Sequence, residues 1–328
     1  MAPERTAWGA AARQVRDGMG PGAALRHLLL WASRRHGVQS VVSTSPMTRG
    51  LVRRFVAGET AADALAVSRA LLAAGMRVTL DRLGEDTRDP GDAAATVASL
   101  RELIDALCDA GMAPGAEVSV KLSSLGQGVD DELCERHARE VCRAAAGAGM
   151  LVTLDMEDHR TTASTLRIGA RLRAEMPDLG LVVQASLRRS EDDCRALAFP
   201  GSRVRLCKGA YQEPAALAWQ QKAETRAAYV RCLRILLDGG ATPLLATHDP
   251  VLISASHRVV ARHHGGGGHE HQMLYGIRPD EQERLVAAGE VVRVYVPFGT
   301  RWYPYLMRRL AERPANLALL LRSLGDRG

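Results

Sequence analysis

From residue 76 onward the chain repeats one hydrophobic rhythm: a short apolar run ends in polar residues, and a stretch with apolar positions at helical spacing follows. The apolar runs predict strands at 77–80, 117–122, 151–154, 181–185, 204–206, 242–246, 271–274 and 291–296, with helices between them. Eight such units over about 250 residues match a (β/α)8 barrel of the TIM type. An open doubly wound sheet would usually show G-x-G-x-x-G after its first strand, and none follows here. Residues 1–75 read instead as an N-terminal helical arm, with the barrel domain at 76–328. Within the arm, 23–36 has helical spacing, and a second helix opens at Glu59-Thr60-Ala61-Ala62-Asp63 and stops at Gly75. The segment 37–45, with Val38, Val41 and Val42, suits either state and is left unassigned.

A barrel of this kind does its chemistry at the carboxyl ends of its strands. Those ends carry Asp81 and Glu85, Lys121, Asp155, Gln184, Arg205 and Lys208, Thr247 and His248, and Tyr295. Any one of them fits a solvated loop residue; a polar group at so many ends together points to a site. The stretch Arg203-Val204-Arg205-Leu206-Cys207-Lys208-Gly209-Ala210-Tyr211 concentrates positive charge where a strand meets a loop, and Gly209 permits close approach of backbone to a ligand. Taken alone, it also fits a surface strand with solvated arginines.

Composition changes this picture little. An apolar fraction of 46% over 328 residues supplies a sizeable core. The net charge of +6 suits an anionic partner, but basic blocks are short and only 4% of residues are aromatic, so nucleic acid is not expected. The six cysteines form no C-x-x-C pair, which points to reduced cytoplasmic thiols rather than zinc or disulfides. No apolar stretch approaches the 18 residues of a membrane span, and no cleaved signal is supported. The glycine run 265–268 lacks the Lys-Ser/Thr of a phosphate loop. His263, His264, His269 and His271 invite a metal reading, but no carboxylate or cysteine completes a set at the catalytic end, and no metal is assigned.

The last helix places Tyr305, Arg308, Arg309 and Glu312 at i, i+3, i+4 and i+7, on one face. Two adjacent guanidiniums there can clamp a carboxylate, or Glu312 can pair with Arg308 in a surface ladder. Further motifs are Leu83-Gly84-Glu85, Val120-Lys121-Leu122-Ser123, Leu154-Asp155-Met156-Glu157, Val183-Gln184-Ala185, Ala246-Thr247-His248 and Glu270-His271-Gln272-Met273-Leu274-Tyr275-Gly276. With Arg205 to Tyr211 and Tyr305 to Glu312, and in this order along the barrel, the chain closely resembles the proline dehydrogenase family. It departs at His271, where an aromatic residue is more usual.

The resemblance implies a flavin enzyme that oxidises L-proline to Δ1-pyrroline-5-carboxylate, with FAD bound non-covalently at the top of a barrel whose final helix lies over the mouth. Lys121, Arg308 and Arg309 match carboxylate-binding positions, and Tyr295 and Tyr305 complete the substrate site. Asp155 and Arg205 match catalytic positions, Arg205 beside the flavin. Met156, Gln184, Arg205, Lys208, Gly209, Ala210, Thr247 and His248 match cofactor positions, and Glu85 a gate able to pair with Arg308. A quinone-type electron acceptor and a peripheral encounter with an anionic membrane surface are implied too. The aldehyde dehydrogenase domain and DNA-binding segment of bifunctional members are not seen, so a separate pyrroline-5-carboxylate dehydrogenase is expected downstream. The competing readings are a hydroxyproline dehydrogenase, which Tyr305 would crowd, a Schiff-base lyase using Lys208, and a non-catalytic binding module.

Overall fold

The computed structural model describes residues 46–263 and 268–312. The helix expected at 23–36, the segment 37–45, His264 and most of the glycine run lie outside them. The described residues fall into two compact units, one spanning Ala57–Thr300 and the other containing α1 (Pro46–Phe55) and the final helix α10 (Trp302–Glu312).

In the larger unit α2 (Ala61–Ala73) begins with a capping box, in which the Thr60 hydroxyl accepts from the Asp63 amide and the Asp63 carboxylate accepts from the Thr60 amide. Gly75, at φ +79°, turns the chain out of it and into β1. The order is then β1 (Arg77–Arg82), α3 (Pro90–Asp109), β2 (Ala116–Val120), α4 (Asp131–Gly147), β3 (Leu151–Leu154), α5 (His159–Arg173), β4 (Gly180–Gln184) and α6 (Ser190–Leu197). It continues with β5 (Arg203–Cys207), α7 (Lys222–Asp238), β6 (Thr242–Ala246), α8 (Pro250–Arg262), β7 (Glu270–Leu274), α9 (Pro279–Ala287) and β8 (Val292–Phe298). All neighbouring strands are parallel, and β8 closes on β1, giving an eight-stranded barrel. Asp89 and Asp249 cap α3 and α8, each followed by a proline at the first helical position, where no amide hydrogen is needed.

Both faces of each strand are buried, but by different chemistry. Val78, Leu80, Val118, Val120, Val204, Leu206, Val294 and Val296 share one core with Leu103, Leu107, Val141 and Leu233 of the helices. The alternate positions Thr79, Asp81, Glu117, Ser119, Arg205, Gln272 and Arg293 are buried as well. They bond across the barrel, from β5 to β2 and β7, so their side chains fill its interior. Most barrels of this type fill that space with branched apolar residues; this one fills it with paired charges. β2 ends at Val120 rather than running to 122, because Lys121 opens a short 3-10 turn, Leu122–Leu125, that stops at Gly126 with φ +98°. Among the described residues no helix is long and apolar enough to cross a membrane.

Candidate active site at the carboxyl ends of the strands

The interior charges form two connected layers. In the lower one Glu117 of β2 accepts from Arg203 at 2.5 Å, from Arg205 at 2.8 Å and from the Thr79 hydroxyl at 3.0 Å. Glu270 of β7 accepts from Arg293 at 2.7 Å, and Gln272 joins the groups, donating to Glu270 at 2.9 Å and accepting from Arg205 Nε at 2.5 Å. Burial works against the Glu117 charge, but Arg293, Arg203 and Arg205 outweigh it and hold the carboxyl down at about 2.

The upper layer lies at the mouth. Asp155, the residue after β3, accepts from the Ser119 hydroxyl, Arg205 Nη1 and the Tyr295 hydroxyl, each at 2.6 Å. Lys121 pairs with Asp81 of β1, and its Nζ lies 3.4 Å from both Asp155 Oδ2 and the Tyr295 oxygen. Burial lifts the Asp81 carboxyl above its usual range against the pull of Lys121. For Asp155 burial is overcome by Lys121 and Arg205, which hold it below that range. Lys121 is itself desolvated, yet Asp81, Tyr295, Asp155 and Glu85 hold its ammonium well above the ordinary lysine value, so it is charged at any working pH. Glu85 is half-buried in the loop after β1, and its charge helps to raise both Lys121 and Glu157.

A second set of residues lines the ends of β3 to β6. Met156 is buried, and Gln184 donates to the Glu157 carbonyl at 2.7 Å. Gly209 has φ +106°, and a Cβ there would stand 2.2 Å from Ser186 Oγ and 3.4 Å from Gln184 Oε1, so only glycine lets this loop lie against β4. Lys208 Nζ lies 3.3 Å from Asp249 Oδ2, a carboxylate shared with Arg226. The Thr247 hydroxyl accepts from the Asp249 amide at 3.2 Å. His248 Nε2 accepts from the Leu274 amide at 2.8 Å, which leaves its proton on Nδ1. Ala210 is exposed in the loop beyond. The two cations Arg205 and Lys208, an amide and a hydroxyl at the strand ends suit a ligand with anionic groups.

A sequence model of the family described as "Proline dehydrogenase" matches residues 64–320. The chain is 36% identical over 301 residues to "Proline dehydrogenase 1" of Bacillus subtilis, covering 92% of this chain and 99% of that protein. The chain belongs to the proline dehydrogenase family. It is also 39% identical over 280 residues to "Proline dehydrogenase" of Deinococcus radiodurans, covering 84% of this chain and 90% of that one. Among solved structures it is similar to proline utilization A (PutA) of Bdellovibrio bacteriovorus, with a TM-score of 0.77 over 99% of this chain at 24% identity. That likeness concerns the fold, and the chain spans 38% of the longer PutA chain.

Of the site residues read from the sequence, the barrel of this proline dehydrogenase family member brings Lys121, Asp155, Arg205 and Tyr295 into direct contact and sets Glu85 beside them. Met156, Gln184, Lys208, Gly209, Thr247 and His248 stand on the adjoining strand ends. Tyr305, Arg308 and Arg309 lie on α10, in the other unit, where the Arg309 guanidinium sits 5.3 Å from the Tyr305 ring centre. Sequence reasoning gave no role to Asp81, Glu117, Ser119 or Gln272, which hold Lys121, Arg205 and Asp155 in place. Nor did it single out Glu157, whose carboxyl burial pushes up to about 7 although the Ser123 hydroxyl donates to it at 2.6 Å. The signal for Asp81, Glu117, Ser119 and Gln272 was present as polar residues at every second strand position.

Proposed function

We propose that the chain oxidises L-proline to Δ1-pyrroline-5-carboxylate with a non-covalently bound FAD and passes the electrons to a quinone-type acceptor. The observation that carries this reading is the convergence of Lys121, Asp155, Arg205 and Tyr295 at the strand ends of a barrel of this family. FAD, when bound, supplies the hydride acceptor. Gln184, Arg205, Lys208, Thr247 and His248, with Met156, Gly209 and Ala210, would hold it, and their mix of cations, amide and hydroxyl fits its anionic and polar groups.

The rest falls to the chain's own side chains. Proline must lose a hydride from the ring carbon next to nitrogen and a proton from the nitrogen itself. Lys121, held charged by Asp81 and Asp155, takes the substrate carboxylate. Inside the barrel each cation already faces a carboxylate: Lys121, Arg203, Arg205 and Arg293 against Asp81, Glu117, Asp155 and Glu270. An arriving carboxylate therefore calls for further positive charge, the role that the family resemblance gives to Arg308 and Arg309, with Tyr305 assigned to the substrate ring. The family resemblance gives Glu85 the part of a gate that pairs with Arg308 in the absence of substrate. Asp155, kept ionised, orients Arg205, Tyr295 and Lys121; the buried Arg205 cation favours negative charge arriving beside it. Free thiols at all six cysteines fit a reducing cytoplasm, with electrons handed over at the membrane face and the product passed to a separate pyrroline-5-carboxylate dehydrogenase.

A Schiff-base role for Lys208 fits poorly, since its side chain is 43% exposed and paired with Asp249, where such a lysine needs a desolvated amine. Dye reduction with L-proline, 4-hydroxyproline and pipecolate side by side tests the reading. Proline should be oxidised fastest; faster oxidation of 4-hydroxyproline, or borohydride trapping on Lys208, would overturn it.

A further inference from the structure

At the end of the barrel opposite the mouth, a cluster of ionisable side chains takes no part in the chemistry above. His271, the second residue of β7, points away from the barrel interior, between Glu270 and Gln272, which point into it. Its side chain is 2% exposed, and its Nε2 has no hydrogen-bond partner among the described residues. Its ring stacks on that of His257, on α8, with 4.9 Å between centroids. Glu290, in the turn before β8, faces both: Oε1 lies 3.3 Å from His257 Nδ1 and Oε2 lies 3.9 Å from His271 Nε2. His269 brings its Nε2 to 3.0 Å from the same Oε2.

A buried imidazole nitrogen without a partner is costly, and three histidines gathered on one carboxylate form a donor set rather than a packing arrangement. One ligand atom from each of His257, His271 and Glu290 falls within 4.8 Å of the other two. Donors around a tetrahedral zinc ion at about 2.0–2.1 Å stand roughly 3.4 Å apart. Side-chain rotation closes that difference, since the glutamate lies in a turn and one histidine on a helix face. We propose that His257, His271 and Glu290 bind one divalent ion of the zinc class, with water in the fourth position and His269 holding the carboxylate. Two imidazoles and a carboxylate suit zinc over magnesium or calcium, which favour all-oxygen shells.

The sequence set His263, His264, His269 and His271 held two of these residues and missed the others. His263 turns instead toward Asp238, 3.6 Å away, while His257 and Glu290 enter from the helix before β7 and the turn after α9. The ion would tie α8 to the base of β7 and β8, on the barrel face that governs stability rather than chemistry. His271 stands three residues, roughly 10 Å, from Leu274, whose amide meets His248 at the mouth.

The test uses the full-length, flavin-loaded protein without a histidine tag, titrated with Zn²⁺ against a chromogenic chelator and separately with Co²⁺. The expected result is one Zn²⁺ per chain, a melting temperature raised by the metal and reversed by EDTA, and the intense visible bands of tetrahedral Co²⁺. His257→Gln and Glu290→Gln, both at partly exposed positions, should each weaken binding by about tenfold or more and abolish the thermal shift. His263→Gln should leave binding unchanged, and dye reduction should be unaffected by all three. Wild-type binding no tighter than that of a His257→Gln/Glu290→Gln double variant would overturn the site, as would loss of binding in His263→Gln.

Discussion

Replacing Glu117 by glutamine tests the charged interior at its base. The carboxylate is fully buried and neutralises Arg293, Arg203 and Arg205, which hold its pKa at about 2 against an ordinary 4.5. A difference of roughly 2.5 units corresponds to about 3 kcal/mol of stability. The folded-state pKa is the lower one, so this contribution is complete above pH 4.5 and is lost as pH falls towards 2. At neutral pH the Glu117→Gln protein should be about 3–5 kcal/mol less stable than wild type, because Arg203 loses its carboxylate and Arg205 and Arg293 are left with only Asp155 and Glu270. By about pH 3 wild type will itself have lost roughly 2 kcal/mol of this contribution, and the gap between the two proteins should narrow by that amount. Urea unfolding of both proteins at the two pH values measures it. Comparing the pair cancels carboxylates they share. A gap of the same size at both pH values would refute the argument that Glu117 is stabilised by its charge.

Three further predictions bear on the mouth. Arg308→Met and Arg309→Met should each raise the proline KM by about tenfold to over a hundredfold with FAD still bound, the loss of a charged hydrogen bond worth about 1.5–3 kcal/mol; unchanged kinetics in both would remove the clamp. Glu85→Ala should slow flavin reduction at saturating proline, and Arg308→Met should mask much of that loss, so rapid-mixing traces showing fully additive effects would leave Glu85 without a gating role. Gly209→Ala forces a side chain to φ +106° and against Ser186 Oγ; it should cost about 1–3 kcal/mol and weaken FAD retention, and a fully yellow variant with an unshifted melting temperature would contradict that.

The strands were legible as short apolar runs ending in polar residues, and in several an apolar pair brackets a polar residue, as in Val204-Arg205-Leu206 and Val118-Ser119-Val120. Which side of that alternation faces inward was not. Both faces of a barrel strand are buried, and a single strand cannot tell whether a charged side chain will meet water or a partner. Arg205 meets Glu117, 88 residues earlier, a pairing that exists only once the barrel closes. The same limit hid Asp81, which stood in the ring of polar strand ends without a task until Lys121 was placed against it. The end of β2 was misjudged for a local reason: Leu122 and Leu125 are apolar enough to continue a strand, but the Lys121 carbonyl accepts from the Ser124 amide and hydroxyl and turns the chain. The histidine cluster shows the opposite case, since His269 and His271 were visible while His257 lay on the preceding helix and their carboxylate beyond an intervening one.

The most direct measurement is anaerobic addition of L-proline to the purified protein while its visible spectrum is followed. The account predicts a yellow protein whose flavin absorbance bleaches on adding proline and returns when a quinone is supplied, with Δ1-pyrroline-5-carboxylate formed in equal amount. A colourless protein that takes up no FAD, or a yellow one whose absorbance proline leaves unchanged, would contradict it.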